Sequence, residues 1–199
     1  MLKIEKTKTI FKPSLLTGLA ALSLAAGLYV LSLVAAPAVM PILAGPLDQQ
    51  ALASPQAGAN RVIIPKIGVD IVYSEGEAAL QNGAWWRHSD RGNPVDGGNF
   101  ILAAHRFKIQ PTPQATWQES PFYHIDKLVE GDEIIIDYNG KRYGYKVDSI
   151  STVKPTQIEI EAPSDEAKLT LYSCGLGGAS VDRHVLTASP MGEVVIQGN

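Results

Sequence analysis

Hydrophobic and polar positions divide the chain into two textures. Between Pro13 and Leu47 there is no charged residue, and Ser14 to Ala36 is an unbroken run of Leu, Ala, Ser, Gly, Val, Thr and Tyr. As a helix this run spans roughly 34 Å, enough to cross a hydrocarbon layer of about 30 Å. Pro37, Pro41 and Pro46 follow closely. Each lacks an N–H and disfavours helix in the residue before it, so the helix is expected to stop near Ala36.

From Arg61 onward short apolar runs are closed by turn residues: RVIIPKIGVDIVYS, GGNFILAAH, DEIIIDY, KRYGYKVDSISTV, KLTLYSC, RHVLTA and EVVIQ. These read as strands. Asn139-Gly140 is the strongest hairpin signal, because both central residues of a type I′ turn need positive φ. Pro65 inside the first run fits an edge or a break between two short strands. Helical signals are short, around Glu77–Asn82 and Ser120–Leu128. The expected fold is therefore mainly β, a closed or nearly closed barrel with short helices, preceded by a membrane helix.

The organisation that follows is a basic N-terminus at 1–12, a transmembrane signal anchor at 13–46 with its span at 14–36, a flexible spacer at 47–59 and a barrel domain at 60–199. The spacer reading rests on its Ala, Gln, Ser, Pro and Gly content without an apolar period. A cleaved secretory signal is the competing reading, since Ala36-Pro37-Ala38 and Ala51-Leu52-Ala53 resemble processing sites, but a signal core is typically about 7–15 residues. Either way the domain is exported.

Charge sharpens this picture. Among 199 residues the formal net charge is −3, yet the first twelve carry Lys3, Lys6, Lys8 and Lys12 against Glu5, which leaves −6 for the rest. Basic residues on the N-terminal side alone keep that end cytoplasmic and put the domain outside. A net acidic domain without a Lys/Arg cluster excludes nucleic acid as a partner.

Outside the membrane the lone Cys174 has no partner for an intramolecular disulfide. It follows an apolar run and precedes Gly175-Leu176-Gly177-Gly178, a rigid strand running into a loop open to substrate and to oxyanion-binding N–H groups. His105 ends the run from Phe100 to Ala104. Arg183 lies nine residues after Cys174, where its fork of donors would stabilise a thiolate, an oxyanion or a substrate carbonyl; a surface ion pair with Asp182 is the alternative. His88, His124 and His184 are read as structural, and Trp85, Trp86 and Trp117 as packing residues. There is no phosphate loop, C-x-x-C pair or H-E-x-x-H motif. No cofactor is expected, with calcium left open through loop carboxylates such as Asp90, Asp96 and Glu119.

The segments IPKIGVD, GGNFILAAHRF, FYHIDKLVEGDEIII, Tyr143–Val147, LTLYSC and DRHVLTA, in this order across residues 61–197, resemble the sortases, cysteine transpeptidases of bacterial cell surfaces. The resemblance implies Cys174 as nucleophile, His105 as general acid/base and Arg183 as stabiliser of the oxyanion or substrate carbonyl. Ser173 stands where Thr is common and keeps its hydroxyl, a candidate substrate-binding residue. Ala104 replaces a common Gly, and His184 a usual aliphatic residue. The implied partners are sorting-signal peptides of LPxTG type and an amine acceptor on a peptidoglycan precursor or a pilin. Residues 47–60 contain no Asp-Pro-aromatic lid, and no second apolar span follows the domain, which tilts the expectation towards wall anchoring.

Two other readings compete. A different exported cysteine peptidase is disfavoured because LYSCGLG lacks a His-Gly-Cys signature and the Cys follows its His in sequence. A membrane-tethered β-barrel binding module with an inert, buried Cys174 would differ in thiol reactivity.

Overall fold

In the computed structural model the described residues are 15–45, 47, 52, 54, 55 and 58–194. The basic N-terminus, most of the spacer and the run after Val194 lie outside them. Helix α1 (Leu15–Ala44) is followed by strands β1 (Arg61–Ile64), β2 (Val69–Glu75), β3 (Gly83–Arg87), β4 (Gly92–Asn93) and β5 (Gly97–Ala103). Helix α2 (Pro113–Gln118) precedes β6 (Glu133–Tyr138), β7 (Lys141–Val153), β8 (Lys168–Gly175) and β9 (Gly178–Glu193). Pro65 divides the first apolar run, opening a 3₁₀ turn (Pro65–Ile67) between β1 and β2.

The strands run β3-β2-β1-β6-β7-β9-β8-β5, and an antiparallel β5–β3 pairing closes the ring, with the two-residue β4 appended to β5. Closure leaves the ring without an open edge. Two neighbouring pairs are parallel, β2–β3 and β5–β8. The β6–β7 hairpin turns at Asn139 (φ 50°) and Gly140 (φ 78°), the positive angles that the Asn-Gly pair supplies at low cost.

Alternation along the strands fills the barrel. Val62, Ile64, Phe100, Leu102, Ile134, Ile136, Leu169, Leu171 and Leu186 point inward and are essentially inaccessible. Phe122, Ile125 and Leu128, from the segment between α2 and β6, belong to the same core. Trp86 meets Tyr73, Phe100 and Tyr138 edge-on, with ring centroids 6.2, 5.5 and 5.8 Å away, which accounts for it as a packing residue.

Helix α1 corrects the expected boundary: it continues eight residues past Ala36, through Pro37 and Pro41, to Ala44. Each proline removes only the bond to the carbonyl four residues earlier, and the two lie four apart on one face. That face is packed. Leu33, Ala36 and Pro37 are buried, and the helix lies against α2. The Pro37 carbonyl, which Pro41 leaves without an intrahelical partner, favours the charged form of the His124 ring, while burial and Lys127 act the other way and leave its pKa lowered. Tyr29 Oη donates to the Pro111 carbonyl at 2.5 Å. The preceding turns expose Leu15, Leu16, Leu19, Leu22, Leu24 and Leu28, and the helix as a whole, Leu15–Ala44, is long and apolar enough to cross a membrane.

Helix α2 was not foreseen from the sequence. Thr112 caps it, its Oγ1 accepting from Ala115 N at 3.1 Å, and Pro113 stands in the first turn, where a missing N–H costs nothing. Thr112-Pro113 was the available signal. Of the two expected helical segments, Glu77–Gln81 and Ile125–Lys127 form short 3₁₀ turns.

Candidate active site

Cys174 lies within β8, and the expected flexible loop is a tight connection, with Gly175 paired to Gly178 across Leu176-Gly177. A Cβ at Gly175 would stand 2.8 Å from Val181 Cγ2 and 3.0 Å from the Asp182 carbonyl, so glycine is required for this close approach. Strand β9 therefore begins at Gly178 and already contains Arg183, which pairs directly with Cys174.

On the other side of β8, Ala103 pairs in parallel with Tyr172, and Ala104 N donates to the Tyr172 carbonyl at 3.3 Å. The ladder ends at this pair, and His105 follows two residues after Ala103, as Cys174 follows two residues after Tyr172. The His105 carbonyl accepts from Phe122 N at 3.1 Å, fixing the chain where it leaves the strand. Neighbouring strands are about 4.8 Å apart, so Cys174 and Arg183 occupy one rung of the sheet, and His105 follows just past the end of the β5–β8 ladder.

The face on which they meet follows from period-two alternation. Leu169, Leu171 and Leu186 face the barrel interior, whereas Ile101, Ala103, Tyr172 and Val185 form a separate apolar cluster on the outer surface. Cys174 shares the outer face with Tyr172, and its cross-strand partner Arg183 does the same. Ile160, from the connection between β7 and β8, packs on the cluster together with Val153. Cys174, half-buried, thus stands at the end of an apolar cluster that Ile160 and Val153 cover.

Ser173 points the other way. It is 1% exposed, its Oγ is buried, and it pairs across the ladder with His184. Its hydroxyl is therefore not presented on the face that carries Cys174, and its candidacy as a substrate contact is corrected to a buried position. The alternation from Leu171 to Ser173 was the signal that would have shown this.

Arg183 lies with its guanidinium 5.4 Å from the centre of the Tyr172 ring. Its Nε is buried without a hydrogen-bond partner, and no carboxylate, Asp182 included, forms an ion pair with it among the described residues. A cation held by an aromatic face instead of an acid remains available to a developing negative charge.

The His105 imidazole is held below the ordinary histidine value, first by burial and then by the Lys108 ammonium, with Glu119 opposing. Lys108 and Glu119 pair at 2.6 Å. This engages one of the carboxylates considered for calcium, and Asp96 accepts from Asn93 Nδ2 at 2.8 Å. Among the described residues no three His, Cys, Asp or Glu side chains gather as a metal centre would require.

A buried carboxylate missed by sequence reasoning, Glu161, stands behind this site. It bonds Arg87 Nη2 and His88 Nε2, both at 3.0 Å, and accepts from Tyr172 Oη. In the sequence QIEIEA it has the pattern of a solvated acid.

A family model described as a sortase domain matches residues 62–191. Among solved structures, a sortase D transpeptidase from Clostridium perfringens is 26% identical, covering 72% of this chain and 86% of that one, with a TM-score of 0.54. Streptococcus agalactiae sortase C is 27% identical over 68% of each chain, with a TM-score of 0.56. Listeria monocytogenes sortase A shares the fold at 21% identity, covering 70% of this chain and 92% of that one, also at 0.56. No curated protein matches the chain.

Proposed function

The chain belongs to the sortase family of cysteine transpeptidases, and on that premise we propose that Cys174 is its nucleophile, His105 its general acid/base and Arg183 its oxyanion stabiliser. The observation that supports the reading is the direct cross-strand pairing of Cys174 with Arg183, with His105 two residues beyond the last β5–β8 pair, Ala103 with Tyr172.

The substrate is a sorting signal of LPxTG type on a secreted protein. Ile160 and Val153, partly exposed over the buried cluster of Ile101, Ala103, Tyr172 and Val185, offer an apolar surface to its Leu and Pro side chains. The Cys174 thiolate adds to the scissile carbonyl, and the oxygen's negative charge is met by the Arg183 guanidinium. As the C–N bond breaks, His105 gives its proton to the departing amine, leaving a thioester. An amine on the cell envelope or a pilin then attacks. His105 takes its proton, the S–C bond breaks, and the thiolate is restored as the new amide forms. Amide energy is retained in the thioester, so the transfer requires no external energy source.

In localisation the proposal follows the sequence: α1 anchors the chain in the membrane with the basic end inside and the barrel outside. The deciding experiment incubates the full chain in detergent with sorting-signal peptides and an amine acceptor. Mass spectrometry is expected to find an acyl adduct on Cys174 and an exchanged product. Equal product from Cys174→Ala would refute the assignment.

A further inference from the structure

The connection between β7 and β8 is nailed down around one residue. Asn99 Nδ2 donates to the carbonyls of Ile160 at 3.1 Å and Ala162 at 2.8 Å, and Thr170 Oγ1 holds the Asn99 amide oxygen at 2.7 Å. Between those two carbonyls lies Glu161, 6% exposed, its own carbonyl bound by Arg91. Its carboxylate reaches Arg87 and His88 at the end of β3 and receives the Tyr172 hydroxyl.

Tyr172 is the point at which this frame touches the site. Its hydroxyl is tied to Glu161, which fixes the ring, and the ring supports the Arg183 guanidinium. Since Arg183 has no ion-pair partner among the described residues, the ring is the contact that sets where its charge stands relative to Cys174. Adjacency along β8 makes this direct, because Tyr172 and Cys174 share one face.

We propose that Glu161 and Tyr172 are positioning residues: Glu161, clamped by Arg87 and His88, holds the Tyr172 hydroxyl, and the Tyr172 ring holds Arg183 in line with the nucleophile. The proposal rests on the role given to Arg183 above. It implies that the fixed β7–β8 connection, which supplies Ile160 to the substrate surface, and the oxyanion cation are set by the same carboxylate.

The test is a double-mutant cycle on the full chain, reading kcat and KM for peptide transfer and the melting temperature of each variant. Tyr172→Leu is expected to lower kcat about tenfold with KM changed less than twofold, from loss of the ring. Tyr172→Phe, which removes one oxygen and keeps the ring, is expected to lower kcat about threefold. In the Arg183→Ala background neither change should lower kcat further. An equal loss from Tyr172→Leu and Tyr172→Phe with and without Arg183 would overturn this proposal alone. Arg183→Ala at the parent kcat would overturn both it and the assignment of Arg183. If Tyr172→Leu fails to fold, Tyr172→Phe carries the same cycle; unchanged kcat in that variant would also overturn the proposal.

Discussion

Cys174 on β8 and Arg183 on β9 are direct cross-strand partners, although nine residues and a turn separate them. The two strands share a hydrogen-bonded ladder, so the guanidinium is delivered to the sulfur by the sheet itself. Arg183→Ala is expected to lower kcat/KM by about 10²–10³, the range for removal of one oxyanion donor. Arg183→Lys keeps the charge and loses the fork, and should recover only part of the loss. Single-turnover acylation followed by mass spectrometry measures both.

A pH dependence follows from the environment of His105. Burial and Lys108 lower its pKa, which depletes the imidazolium near neutrality. In the proposed mechanism the active pair is a Cys174 thiolate with a His105 imidazolium, so kcat/KM is expected to be bell-shaped, with its acid limb below the ordinary histidine pKa of about 6.5. Lys108→Gln removes a lowering charge, moving that limb up and raising the rate at its maximum. Glu119→Gln removes the opposing charge and moves it down, with a lower maximum. A rate rising steadily through the alkaline range would contradict an imidazolium acid.

Gly175 has a steric reason to be glycine. An added methyl would meet Val181 Cγ2 at 2.8 Å and the Asp182 backbone oxygen at 3.0 Å. Relief requires the turn to open, which displaces β9 next to Arg183. Gly175→Ala should therefore lower kcat at least tenfold while leaving the barrel's circular dichroism intact. Gly175→Ala combined with Val181→Ala removes the side-chain clash and is expected to regain part of the activity.

Much of this site was legible because its signals are local. Each catalytic candidate sits in or at the end of an apolar run, and Asn139-Gly140 states its own turn. Pro65 likewise marks the break that separates β1 from β2. The remainder depends on contacts between segments far apart. The path of α1 beyond Ala36 requires α2 and His124, neither of which is visible in the Pro37–Pro46 spacing. Glu161 is buried only because Arg87, His88 and Tyr172 arrive from two other strands. The β3–β5 closure joins segments with no shared sequence signature. Ser173 differs from these: its inward direction was contained in the alternation after Leu171.

The β6–β7 hairpin carries a buried ion pair, Arg142 Nε to Asp137 Oδ1 at 2.7 Å, between directly paired residues that are both almost inaccessible. The second carboxylate oxygen receives Arg142 Nη2 at 2.9 Å, which makes the pair bidentate. Breaking it strands a charge in the interior. Arg142→Met is expected to cost about 3–5 kcal/mol, because Asp137 is left unpaired. Joint replacement by Arg142→Met and Asp137→Leu should cost much less. Denaturant titration of the full chain in a fixed detergent checks the difference.

The contact between α1 and the barrel domain makes the last prediction. Leu33, Ala36 and Pro37 are buried, the helix lies against α2, and Tyr29 reaches the Pro111 carbonyl. A span joined to its domain only by a spacer would leave all of these exposed. Held as observed, the helix and the domain move as one body, and the segment from His105 to α2 is fixed relative to the helix axis. Tyr29→Cys with Pro111→Cys, in a Cys174→Ala background, should then be joined within one chain by a short bifunctional maleimide in bilayer nanodiscs. Leu33→Asp should suppress the cross-link by pushing the helix face away and should speed amide exchange in α2. A pair that stays unjoined, with α2 exchange unchanged by Leu33→Asp, would mean that the helix and the domain are independently mobile.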